Sequence, residues 1–523
     1  MKKKATAKNP RSLDKHLFEA GQQCHKRLWF DFHEPAPEAT SIGRQLMSSV
    51  GQQLLDLARS VFPKGVTVGE ERAAEAAART AQLLADETPL LFDAAFAAEG
   101  LEARSDIVVR HRDGALDLYE VKSGTKLKHR YVNDLALQVH VATLCGHKVR
   151  AAFLLHVNAG YVHKEGADFP PMQLLRSADV TAKVHKQLDL VRRRLGHFRQ
   201  VLAEPSAPNV PTGTYCTTPF PCPHLSRCAK DEGEAPLREL PEQTRTQEME
   251  LHRAGIREIP QLEPERPGLT FRQRRTVACV LAGEPIVEPF VAEELEQCTR
   301  PLHFLALAAL PEPLPRFDGQ RPWRHMPYGW AAITVHPDGR TERAQFVHVD
   351  KTDPRPEFVT TLAKHLEVGG TIVCWDAEAL EELRALLDDL PAQKAAVRAV
   401  LGRSHVDLMQ LLDAGAFHPQ LREHRDLRAA VATWLGDHSG AELALFGEDD
   451  LRAALTKATT PRTRATTRDK IADDLKAALV WVSERVLDLF RHFGGKAGEP
   501  TTTPPAKAPR ARSKPLPKPL PGE

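Results

Sequence analysis

The chain has 523 residues, 42% of them hydrophobic and 27% charged, with a formal net charge of +2. That is room for two or three soluble globular domains, and a total charge so near balance says nothing for or against nucleic-acid binding. No apolar run approaches the ~20 residues that span a bilayer, and no secretory apolar stretch follows the basic start MKKKATAKNPR, so a cytoplasmic protein without a membrane partner is expected.

Residues 1–12 read as a basic, disordered N-terminus. Cys24 follows in QQCHKRLWF, one of eight cysteines. In a reducing compartment eight cysteines in so long a chain are not a disulfide framework, and their spacing becomes the informative property.

Ser105–Lys122, SDIVVRHRDGALDLYEVK, predicts a β-hairpin. Ile107–Val109 and Leu116–Val121 are the apolar runs, and Arg112-Asp113-Gly114 is the turn, where glycine can take φ > 0. A three-residue loop sets His111 opposite Ala115 and therefore Asp106 opposite Glu120. Lys122, two residues on, shares their face. A two-residue loop would set Asp106 opposite Val121 and split the acids between faces. In the first register two carboxylates and an amine converge, a site for a hard cation such as Mg²⁺, with Lys122 placed to position or deprotonate a water and to stabilise charge on phosphorus. An ordinary exposed hairpin with a Glu-Lys pair is the alternative.

Cys216, Cys222 and Cys228 recur every six residues in YCTTPFPCPHLSRC, where Pro219, Pro221 and Pro223 enforce irregular backbone. Cys24 is the best fourth ligand, because Cys145, Cys279, Cys298 and Cys374 lie in apolar or helical contexts. Four thiolates suit a [4Fe-4S] cluster, which tolerates irregular spacing; three with His224 or Cys24 would suit zinc, although no C-x₂₋₄-C pair is present.

The segment from about Leu13 to Cys228 resembles the RecB-type iron–sulfur nucleases of the PD-(D/E)xK superfamily, which includes CRISPR-associated exonucleases. The matching order is Cys24, Asp106, Glu120-Val121-Lys122, Gln138 in DLALQVHVATLCG, then Cys216, Cys222 and Cys228. The resemblance implies a restriction-endonuclease-like core acting on DNA. Asp106, Glu120 and the Val121 carbonyl would bind Mg²⁺ or Mn²⁺, Lys122 would act on the attacking water, and Gln138 would support the site. Two departures stand out: GQQLLDLAR (Gly51–Arg59) lacks the histidine many relatives carry on the first helix, and Ala142 replaces a frequent tyrosine. Asp93 or Glu99 is a candidate further acid, against the simpler reading of solvated loop acids. The phrases SLDKHLFEAGQQCHKRLWF, LHVNAGYV and CTTPFPCPHLSRC also resemble an uncharacterised bacterial family in which this nuclease precedes a domain of unknown function, over about the first 430 residues.

After a nuclease domain over 13–230, residues 231–298 read as a helical linker, with a small DNA-contact module as the alternative. An α/β unit over 299–436 is predicted from strands LHFLALAAL, GWAAITVH and TIVCWD and helices Pro356–Leu366 and Ala377–Leu387. Its order resembles a ribonuclease H-like exonuclease, yet the first strand carries no acid. Asp376 and Asp407 alone cannot form a two-metal site, so a degenerate, non-catalytic domain is expected. In the helical region 437–495, Ile471, Leu475, Leu479, Val482, Val486 and Leu489 mark an amphipathic helix packed on that domain. The Pro-, Thr- and Lys-rich residues 496–523 read as disordered.

Overall fold

The computed structural model describes residues 12–495 except 36–41, 63, 70–71, 165, 167 and 461. The two termini expected to be disordered lie outside the described residues, save for Ser12. The architecture is mixed α/β. No helix among the described residues is long and apolar enough to cross a membrane.

The first sheet runs β1 (Val66–Thr67), β2 (Leu90–Ala98), β3 (Leu101–Arg110), β4 (Leu116–Lys122), β5 (Val149–Val157), β6 (Leu175–Asp179), in that spatial order. β2 and β3 meet through Glu99-Gly100, whose φ of 52° and 72° are those of a tight two-residue hairpin turn. The β3–β4 hairpin has the three-residue loop anticipated above: His111 N–H donates to Ala115 O at 2.8 Å, and Ile107 pairs with Tyr119. β4 and β5 are parallel and joined by α5 (His129–Leu144). Ile107 and Val108 are both fully buried, because the sheet is covered on both faces. One face packs against α4 (Ala73–Ala85), α5 and α7 (Thr181–Ala203), the other against α3 (Ile42–Ser60) and α6 (Pro171–Leu174) through Leu54, Ala58 and Leu174.

The chain enters this sheet by adding Leu13 to the start of β3, with Leu13 N–H donating to Gly100 O and Glu102 N–H to Leu13 O. Asp14 then caps α1 (Lys15–Gln23), its carboxylate accepting from Leu17 N–H at 2.9 Å. Cys24 is the hinge between α1 and α2 (His25–His33).

Residues 231–298 are more than a linker. Ala235, Leu237, Leu240, Leu251, Ile256 and Ile259 bury one another with Leu262, Leu269 and Val277 in a core of their own. The apolar residues were visible, but only folding shows that they meet each other. Thr270 and Gln273 cap the helix Phe271–Ala282 reciprocally.

A second sheet has the order β10-β9-β8-β11-β12, from β8 (Leu302–Glu312), β9 (Arg324–Val335), β10 (Thr341–Val347), β11 (Thr371–Cys374) and β12 (Ser404–Asp407); Ile286–Val287 (β7) and Ala416–Phe417 (β13) form a separate pair. β8, β9 and β10 are an antiparallel meander, and β11 and β12 run parallel to β8 and to each other. β10 and β12 were not anticipated, being largely polar in sequence. The expected helix at Ala377–Leu387 is broken into Glu378–Glu382, a 3₁₀ turn and Leu386–Asp389. The helix Ala465–His492 packs across β8 and β9 through the expected stripe, with Ile471, Leu475, Leu479, Val486 and Leu489 buried and Val482 half-buried.

The second unit touches the first beside β4. Trp323 Nε1–H donates to Ser123 O at 2.6 Å, and His163 exchanges backbone hydrogen bonds with Gly319 and Gln320 at 2.9–3.0 Å.

Candidate active site

The hairpin register brings Asp106 beside β4, where its Oδ2 accepts from the Val121 N–H at 2.6 Å. Glu120 is buried and receives three donors: Lys122 Nζ at 2.5 Å, Lys15 Nζ at 3.0 Å and Gln138 Nε2 at 2.8 Å. Asp106, Glu120, Lys122 and Gln138 are therefore in one place, with Val121 among them. Lys15 and Asp134 escaped sequence reading. Asp134 stands one helical turn before Gln138 on α5, an i, i+4 spacing that carried a signal. It holds Lys122 at 2.8 Å and Lys15 at 2.5 Å. Nothing local marks Lys15, which arrives through the Leu13 bridge and the Asp14 cap.

The electrostatics follow from crowding. Burial pushes Asp106 well above the usual carboxylate range, and the Glu120 charge adds to it. Burial works against ionised Glu120 too, but Lys122 and Lys15 outweigh it and hold that carboxyl low. Asp134 is raised, by burial first and by Glu120 second. Asp134 Oδ1 and Gln138 Oε1 are buried without a hydrogen-bond partner. Asp106 and Glu120 open onto a cleft of about 460 Å³ that Lys15, Glu102 and Arg104 also line.

Among the described residues no group of three or more His, Cys, Asp or Glu side chains stands in a cation-binding arrangement; two ammonium groups lie between the acids instead. The donor set nevertheless fits a hard divalent cation: all oxygen, with a high-pKa acid and an orphaned carboxylate oxygen at hand. Asp93 and Glu99 are engaged elsewhere, with Arg59 at 2.5 Å and Arg199 at 3.8 Å.

Cys24, Cys216, Cys222 and Cys228 line a single small cavity. Cys222 N–H donates to Cys216 O at 2.8 Å, and Gln23 Nε2 donates at 2.7 Å to the carbonyls of both Tyr215 and Phe220, tying the proline-broken loop to α1. Burial pushes the Cys216 thiol up to about 11 and raises Cys222 and Cys228. Gly213 N–H points at Cys216 Sγ at 3.5 Å. His224, the alternative zinc ligand, commits its Nε2 to Asp31 at 2.7 Å. Four thiols from both ends of the first unit thus line one cavity, without standing in a metal-holding arrangement.

In the second unit the acids serve the backbone. Asp407 accepts from Ala377 N–H and Gln410 N–H at 3.0 and 2.8 Å, and Asp376 from Glu378 N–H at 2.8 Å. The neighbouring strand β8 offers apolar residues, His303, which is itself hydrogen-bonded to Thr334 and Gly369 O, and at its far end Glu312, which is engaged by Tyr328 and Arg316.

A family model described as a domain of unknown function, DUF2779, matches residues 303–424, which covers this second sheet from β8 to β12. No curated protein matches the chain.

Proposed function

We propose that the chain is a metal-dependent nuclease that hydrolyses phosphodiester bonds of DNA, at single-stranded ends, in repair, recombination or defence. The observation that carries this reading is the convergence of Asp106, Glu120, Lys122 and Gln138 around β4 of a six-stranded sheet, with Asp106 and Glu120 opening onto the cleft. The antiparallel β2-β3-β4 meander followed by parallel β5 supports a restriction-endonuclease-like core of the PD-(D/E)xK type.

Asp106 and Glu120, with the Val121 carbonyl, would hold Mg²⁺ or Mn²⁺. A bound cation neutralises charge at phosphorus and acidifies water. Lys122 is held by Glu120 and Asp134, its ammonium against the cleft-lining Glu120, where it orients the attacking water and stabilises developing charge. Gln138 holds the Glu120 carboxylate in orientation through its amide N–H. The four cysteines support a [4Fe-4S] cluster that clamps α1 to the end of the domain. The β10-β9-β8-β11-β12 order supports a ribonuclease H-like second domain. With Asp376 and Asp407 used as caps, hydrolysis rests on the first domain.

Lys122→Ala should abolish Mn²⁺-dependent cleavage of single-stranded DNA while leaving the brown absorbance of the cluster. Equal cleavage by parent and variant overturns the assignment. The ammonium groups paired with Glu120 and Asp134 favour a second reading, a catalytically inactive nucleic-acid-binding protein; salt-sensitive DNA binding without cleavage under any divalent cation would select it.

A further inference from the structure

A run of ring–cation contacts leads from Phe220 through Arg130 and Tyr131 to Lys122. The Arg130 guanidinium carbon lies 4.9 Å from the Phe220 ring centre on one side and 5.2 Å from that of Tyr131 on the other. The Tyr131 ring is 5.4 Å from Lys122 Nζ. Ser123, the next residue, accepts the indole N–H of Trp323 from the second domain. Phe220 is 50% exposed, and Tyr131 and Trp323 are half-buried. The loop and first turn of α5 that carry this run, SGTKLKHRY (123–131), hold Lys126, Lys128 and Arg130 and no acid, with both lysines exposed.

Trp323 is placed there at a cost. Its φ is 61°, the left-handed region that bulky residues avoid, and its N–H is bonded to Glu312 O at 2.6 Å. An ordinary surface tryptophan has no such constraint.

We propose that this run is a binding track for single-stranded nucleic acid leading to Lys122, with Trp323 and Phe220 as stacking platforms on its two sides. The proposal rests on the nuclease reading for its purpose and on these contacts for its chemistry. Every base has a π-face that an aromatic ring can take regardless of sequence, and cations between the rings follow the phosphates. A duplex hides its base faces in its own stack, so the track selects single strands. It also gives the second domain a task that needs no acids: it lends Trp323 to the site of the first.

The test uses the full chain with Asp106→Asn, so that bound strands stay intact, and fluorescence anisotropy with labelled oligothymidylate and no divalent cation. Trp323→Ala and Phe220→Ala should each weaken binding about 5- to 100-fold, and Trp323→Phe should retain most of it. A duplex of equal length should bind more weakly and be indifferent to these changes. Unchanged affinity in Phe220→Ala together with Trp323→Ala or Trp323→Phe/Phe220→Ala double variants of unaltered circular dichroism overturns the track. Duplex binding as tight as single-strand binding does so too. If binding depends on these residues while the chain with Asp106 intact cleaves nothing in Mn²⁺, the nuclease reading is refuted and the track is left standing.

Discussion

Lys15→Met tests the electrostatics of the site most directly. Lys15 Nζ lies 3.0 Å from Glu120 and 2.5 Å from Asp134, and the side-chain exposures are 43%, 6% and 2% respectively. At an effective dielectric constant near 20 each contact is a gross attraction of about 5–7 kcal/mol. Most of it vanishes in the net. Lys15 is partly exposed, and Lys122 stays within 2.5 and 2.8 Å of the same acids, so neither carboxylate is left without a cation. The full ~3–5 kcal/mol of a broken buried pair therefore shrinks to about 1–2 kcal/mol. Without divalent cation the thermal midpoint of the first domain should fall by a few degrees. Removing one ammonium also removes a competitor for the metal, so Mn²⁺ affinity measured by calorimetry should rise about 5- to 30-fold. Saturating Mn²⁺ should then restore the midpoint. A variant that melts with its parent in the absence of cation, or binds Mn²⁺ more weakly, refutes the reasoning.

Asp106→Asn should trade activity for stability. A carboxyl whose folded pKa lies above its unfolded value of 3.8 costs stability as pH rises past that value, until it ionises in the folded state. The variant should therefore gain more over its parent at about pH 7 than at about pH 4 in cation-free melting curves, and it should not cleave; an equal gain at both pH values contradicts the assignment. Cys24→Ser should lose iron on anaerobic purification, and iron content equal to the parent's removes Cys24 from the ligand set. Gly370→Ala should unfold the second domain at markedly lower denaturant: at φ 90° an added Cβ would sit 1.9 Å from the Pro301 carbonyl oxygen, and a folded, unshifted variant would show that this backbone can move.

Much of the first domain was legible because its signals are local. The Asp113-Gly114 turn between a β-branched and an apolar-rich run announces the hairpin and leaves two registers open; the three-residue loop that forms selects the one in which Asp106 and Glu120 share a face. The apolar stripe from Ile471 to Leu489 likewise announces a helix and the face it buries. The polar strands β10 and β12 carried no such signal, since edge strands need little apolar alternation, and the capping duty of Asp407 shows only once the helix it caps is formed.

The sequence by itself determined the chemistry available: which carboxylates, amines and thiols exist, and which of them lie close through short-range geometry. Only the tertiary structure decided the company they keep. Lys15 reaches Glu120 across 105 residues because Leu13 joins a strand, and Trp323 reaches Ser123 across 200 residues because a second domain docks there. Spacing along the chain encodes contacts made by one hairpin or one helical turn. Contacts closed by the packing of separate units depend on the burial of whole faces, which no short motif records.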